Sequence, residues 1–217
     1  MVFLFALITA CSSMKNEPEN IDHIILGVND LNKGIEQFEA LTGIKPVFGG
    51  VHPNSFSQNA LVALDHEIYI EIMAPRPDAI VVPDDFLALE KLTPIGWAVR
   101  THNSIETRKN LKAAGIIASN RRHGSRSKPD GTLLNWTTFD IDTRNDFPFF
   151  IEWGTSTIHP SISSPAGCTF QSFHINTPYD AAMNTLITAL PLNLTVSKTT
   201  ETKLQLTINS PNGKVTF

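Results

Sequence analysis

The chain has 217 residues, of which 41% are hydrophobic and 18% charged, and its formal net charge is −4. This is an ordinary globular composition, long enough for one sizeable core or two small ones. Scattered acids and the absence of any basic block speak against a nucleic-acid partner, and two cysteines, Cys11 and Cys168, are too few for a disulfide framework or a cysteine-based zinc site.

Residues 1–20 read as a signal and tether. Val2 to Ala10 is apolar and runs into Leu7-Ile8-Thr9-Ala10-Cys11-Ser12-Ser13. Spanning a bilayer takes about 20 apolar residues, so this run is too short to cross one, yet it suits the apolar part of a secretory signal. Small residues before a cysteine resemble the bacterial lipoprotein signal, in which that cysteine is acylated. The resemblance implies lipidation of Cys11, a lipid-anchored protein of the bacterial cell envelope, and membrane contact only through the anchor. No Lys or Arg precedes the apolar run, which departs from the pattern. If the segment is no signal, it is an N-terminal extension of a cytoplasmic protein.

Ile21 to Val28 reads as a buried strand. Asn29-Asp30 can cap a helix in which Leu31, Ile35, Phe38 and Leu41 recur at helical spacing, with Thr42-Gly43 as its stop. Strands are expected near Pro46 to Phe48, from Gln58 to Leu64 and from Ile68 to Met73. The order is βαβββ, covering residues 21–74. A proline-containing linker follows, with a short helix expected from Asp84 to Lys91, opened by Pro83 and two acids.

The order then recurs over residues 95–154. Ile95 to Thr101 is a strand, Asn103-Ser104 caps a helix from Ile105 to Ala114, and Gly115 stops it. A strand is expected around Ile116 to Ser119, then a polar loop from Asn120 to Gly131, then strands from Thr132 to Ile141 and Phe147 to Trp153. A shorter third unit occupies residues 168–217: a strand, a helix with a clear apolar stripe from Tyr179 to Leu190, and closing strands. Residues 21–217 thus form one repeat-built domain.

Alternation along Ile68-Tyr69-Ile70-Glu71-Ile72-Met73 places the isoleucines on one face and Glu71 on the other. An unpaired buried carboxylate is costly, so Glu71 is expected to be paired or metal-bound. Phe149-Phe150-Ile151-Glu152-Trp153-Gly154 echoes the pattern. Laying the first two units over each other, with Leu31 on Ile105, puts His23 on Trp97 and Glu71 on Glu152. Read alone, His23 is a satisfied core histidine, and Glu71 an ion-pair partner of Arg100 or another basic residue. His52 is a loop residue or cavity rim; Asn59 lines a cavity or caps a turn. Arg126, in the polar loop, is solvated or meets an anionic substrate. His159 and His174 read as structural.

The stretch Ile21 to Leu31, the Glu71 strand, Gly49-Gly50 with His52-Pro53, Asp130 to Leu134 and Pro148 to Gly154 together resemble the glyoxalase/bleomycin-resistance, or vicinal oxygen chelate, superfamily, above all its glyoxalase-like domains. The resemblance implies an α+β fold in which βαβββ units curl mixed sheets around a shared cavity. It implies a divalent metal ion as cofactor, held there by His23, Glu71 and Glu152, with Trp97 at a fourth position that cannot bind metal. It implies metal-assisted isomerase or lyase chemistry on a small oxygen-bearing molecule, with Glu71 or Glu152 as the catalytic base. Trp97, Asn59, His52 and Arg126 are the candidate substrate-binding residues. The alternative is a metal-free module that sequesters a small molecule between walls such as Tyr69, Trp97, Trp136 and Phe150. Members of the fold often pair, so a homodimer is among the expected assemblies.

Overall fold

The computed structural model describes residues 21–217 apart from 54, 66, 191 and 193. The signal and tether of residues 1–20, with the lipidation expected at Cys11, lie outside the described residues. Among the described residues no helix is long and apolar enough to cross a membrane.

The first unit runs β1 (Ile21–Gly27), α1 (Leu31–Thr42), β2 (Val47–Val51), β3 (Ser57–Asp65) and β4 (Ile68–Pro75). Asp30 caps α1 by accepting from Lys33 N, and Gly43, at φ 77°, ends it with its N–H on Glu39 O. A linker with the short helix α2 (Asp84–Leu87) leads to β5 (Thr93–Arg100), α3 (Ser104–Ala113), β6 (Arg122–Ser127), β7 (Leu133–Asp140) and β8 (Phe149–Trp153). The βαβββ order therefore holds in both units. The second strand of the second unit differs from the expectation. No strand forms at 116–119, and β6 lies instead inside the stretch expected to be a loop. Arg, His and Ser give it little strand character of their own; pairing of its whole length with β7 supplies it, from Arg122 opposite Thr138 to Ser127 opposite Leu133.

The two units share one eight-stranded mixed sheet, in the order β2-β3-β4-β1-β5-β8-β7-β6. In each unit the strand before the helix pairs in parallel with the last strand, β1 with β4 and β5 with β8. The units join through the antiparallel β1–β5 pair. The sheet curls until its two edge strands, β2 and β6, approach each other, giving a nearly closed barrel. At the seam the Arg126 guanidinium donates to Gly49 O. A Cβ on Gly50 would stand 2.9 Å from the backbone oxygen of Ser127, and Gly50 has φ 137°, a conformation that side chains resist. Gly49-Gly50 is thus where the two edges can come together.

Ile68, Ile70 and Ile72 of β4 point outward from the barrel, under α1, in the apolar core with Phe38 and Ile24. The third unit packs on that same outer side. It comprises β9 (Thr169–Thr177), α5 (Asp180–Ala189), β10 (Thr195–Lys198), β11 (Lys203–Ser210) and β12 (Gly213–Thr216), with α4 (Pro160–Ser163) in the linker before it. Its element order repeats that of the other units, but its sheet runs β10-β9-β11-β12, with the first strand in the interior. Phe173 meets Trp97, and Phe217 stacks on Phe38 at 5.7 Å. The third unit thus thickens the core and, among the described residues, lines no part of the barrel interior.

Gly50→Ala should lower stability by about 1–3 kcal/mol, the usual cost of a strained backbone with a close contact. Chemical denaturation of the two proteins side by side measures this; an unchanged midpoint would mean the seam is looser than its geometry.

Candidate functional site

Inward-facing side chains of the eight-stranded sheet enclose a cavity of about 230 Å³. One wall is polar. β1 brings His23, β4 brings Glu71, β3 brings Asn59, and the loop after β2 brings His52. The opposite wall is largely apolar and aromatic, with Phe149, Ile151 and Trp153 from β8 and Trp136 from β7. Arg126 of β6 stands at the seam between the walls.

Glu71 is the hub of the polar wall. Its Oε1 accepts from Asn59 Nδ2 at 2.7 Å and lies 3.3 Å from His52 Nε2; its Oε2 lies 3.5 Å from His23 Nε2. Burial pushes the Glu71 carboxyl up, but the bond and charge of His52, the charge of His23 and the Asn59 bond outweigh it. They hold the group at about 2, below its ordinary 4.5. His52 is itself positioned by Ser57, whose Oγ is 2.8 Å from Nδ1. The expected pairing of Glu71 with Arg100 does not form; Arg100 pairs with Glu67 at 2.7 Å.

A second buried carboxylate supports His23 from behind. Asp22 is fully buried, with Oδ1 2.6 Å from His23 Nδ1, while Oδ2 accepts from Trp153 Nε1 at 2.9 Å and lies 3.0 Å from His159 Nε2. Burial raises its pKa, yet the bonds and charges of His159 and His23 keep the carboxyl below the usual carboxylate range. Both Asp22 and His23 reach the cavity side because the β1–β5 register slips between Ile21 and His23. The Asp22 bond assigns the Nδ1 proton of His23 and turns Nε2 toward Glu71. Tyr69 stacks on the His23 ring at 4.6 Å. Sequence reading missed Asp22 and left His159 as structural without a partner. The one available signal was an acid beside a histidine within an apolar strand.

Two expected site residues lie elsewhere. Asp30 and Asn103 each cap the first helix of their unit, accepting from the N–H three residues on. Matching the caps sets the units 73 residues apart (103 less 30), so Gly96 is the counterpart of His23, and Trp97 that of core-facing Ile24. Trp97 is accordingly buried in the core, donating from Nε1 to Asp146 O. In the parallel pairs Ile25 is opposite Glu71, and Ala98, its counterpart, is opposite Phe149. Phe149 is therefore the counterpart of Glu71. Glu152 faces outward, where Oε2 accepts from Ser104 N at the start of α3, a favourable place for an anion. Likewise Phe150 is in the core, stacked on Phe139 at 4.6 Å. The overlay of Leu31 on Ile105 was one residue out, enough in a strand to exchange the faces.

Residues 21–190 match the family described as "Glyoxalase-like domain". No curated protein matches. Among solved structures, a hypothetical protein from Staphylococcus aureus aligns over 91% of this chain and 84% of its own at 14% identity, with a TM-score of 0.63. A methylmalonyl-CoA epimerase from Mycobacterium tuberculosis aligns over 62% of this chain and 86% of its own, at 18% identity and a TM-score of 0.42. A Streptomyces coelicolor methylmalonyl-CoA epimerase bound to 2-nitronate-propionyl-CoA aligns over 65% and 99%, at 15% identity and a TM-score of 0.44. The first of these supports the fold.

Members of the superfamily commonly use divalent metals. The residues here do not fit the centre in which both units supply ligands. His23 and Glu71 occupy the first unit's positions, but their counterparts Gly96 and Phe149 carry no donor, and Glu152 is outside the cavity. Among the described residues no three His, Cys, Asp or Glu side chains form a group that could hold a metal ion.

Because its folded pKa is depressed, Glu71 adds stability that is complete above about pH 4.5 and is lost as pH falls toward about 2. The wild type should lose up to about 3 kcal/mol more than Glu71→Gln over that interval. Denaturation midpoints of both proteins between these pH values measure the difference; parallel curves would contradict the pairing of Glu71 with the histidines.

Proposed function

Because the chain belongs to the glyoxalase-like domain family of the vicinal oxygen chelate superfamily, we propose that it is an isomerase- or lyase-type enzyme that moves a proton beside a carbonyl group of a small oxygen-bearing molecule. The observation that carries this reading is the line Asp22–His23–Glu71, with spacings of 2.6 and 3.5 Å, opening on a cavity of about 230 Å³. A cavity of that size suits a small molecule or one end of a longer one.

The roles follow from the bonds. Asp22 holds the His23 tautomer, so Nε2 is the nitrogen free to take a proton from a substrate carbon. The imidazolium so formed lies between two carboxylates, Asp22 behind and Glu71 in front, which favour its charge. Glu71, held ionised by His52 and Asn59, is the weaker base and acts mainly as this charge partner. Tyr69 fixes the ring plane by stacking. The buried site keeps the interaction in a medium where electrostatics are stronger than in water. Return of the proton to the same carbon gives only exchange; its delivery to the former carbonyl carbon, with the neighbouring hydroxyl proton passing to the former carbonyl oxygen, gives isomerisation, and loss of a leaving group from the neighbouring carbon gives elimination. No step here depends on a metal.

His23→Gln should slow α-proton exchange by about 10²–10⁴-fold, the usual contribution of a general base. Asp22→Asn should slow it as well by releasing the tautomer. Deuterium uptake from heavy water into small 2-oxo compounds, followed by NMR, measures both. Exchange by the wild type that survives in His23→Gln would defeat the base assignment. Binding without any exchange in the wild type would instead favour a sequestering module.

A further inference from the structure

Arg126 is an unusual charge. Its residue is 4% exposed, yet it faces the cavity. Arg76, Arg100, Arg122 and Arg144 each pair with an Asp or Glu. Arg126 pairs with none among the described residues. Its one hydrogen bond there is from a terminal nitrogen to Gly49 O, which closes the barrel seam. A guanidinium stays protonated in a protein and carries five N–H donors. Burying it without a counter-anion is costly. The nearest candidate, Glu71, is already engaged by Asn59, His52 and His23 and forms no ion pair with it. Glu71 acts on Arg126 only through its field; burial pushes the guanidinium pKa down against that field.

We infer that Arg126 is the anion-binding residue of the cavity, and that the substrate is a small monocarboxylate whose carboxylate lies on the guanidinium. This rests on the proton-transfer reading above and names its substrate class. The latch to Gly49 occupies one nitrogen and fixes the plane of the group, leaving the rest of the fork for a planar carboxylate, which it matches in a bidentate fashion. A single negative charge suits the site better than two, because ionised Glu71 already lines this space and buried Asp22 lies just behind His23. The remainder of the ligand meets Trp136 and Trp153, whose rings contact edge to face at 5.7 Å, so it is short and apolar or flat. With its carboxylate on β6, the molecule extends across the cavity toward the polar wall of β1 and β4, where His23 stands.

The test compares pyruvate, 2-oxobutyrate and propionate with their neutral amides, in titrations followed by NMR and by thermal stability. The acids should bind at least about tenfold more tightly than the amides. Arg126→Gln should remove that preference, whereas Arg126→Lys, which keeps the charge but not the fork, should weaken it. Equal binding of acid and amide by the wild type, or an undiminished preference in Arg126→Gln, would overturn the inference. Should Arg126→Gln fail to fold because the seam opens, the wild-type comparison decides. His23→Gln separates the two readings: it should bind the acids as the wild type does while losing exchange. Acid binding that needs Arg126, without exchange in the wild type, leaves the anion site standing and removes the proposed reaction. Exchange that runs equally on acids and neutral carbonyl compounds does the reverse.

Discussion

Closure of the eight-stranded sheet is the constraint on which everything else depends. An open sheet of this width would expose its inner face to water, and the charges on that face would be solvated and weakly coupled. Drawing β2 against β6 at Gly49-Gly50 converts the face into an enclosed space. Only a residue without a side chain at position 50 allows the two edges so close, and the arginine that bridges them is itself one of the interior charges. Sheet closure and cavity chemistry are therefore written into the same few residues.

Enclosure explains how two carboxylates persist inside. Asp22 has three donors around it, and Glu71 has an amide and two imidazoles. Each therefore stays ionised despite burial, in keeping with the rule that buried charges are tolerated when hydrogen-bonded. The histidines gain from this as much as the acids do, because each ring is held at one nitrogen and presented at the other. Arg126 departs from the rule, having a carbonyl but no anion beside it.

Much of the architecture was legible in the sequence, since periodicity and capping residues act locally. The caps at Asp30 and Asn103, the stop at Gly43 and the isoleucine face of β4 all express short-range rules. The site was legible only where it depended on a single strand, as with His23 and Glu71. It was misread where it depended on comparing two strands, because a slip of an odd number of residues, one at Trp97 and three at Glu152, turns a side chain to the other face. Asp22 was out of reach for a different reason: strict alternation sends neighbours 22 and 23 to opposite sides, and the bulge in β1 that breaks the alternation is defined only by its pairing with β5, far away in the chain. The third unit shows that even a repeated element order does not fix strand order.

The two halves of the barrel repeat one pattern but have unlike linings: the first carries both histidines and Glu71, the second mainly rings, with Arg126 at its edge. A flat intermediate held between them would meet proton-transferring groups on a single side only. Protons would then arrive and depart from that side, and the product would carry one handedness. Stereochemical choice would follow from the mismatch between the halves, with no residue devoted to it.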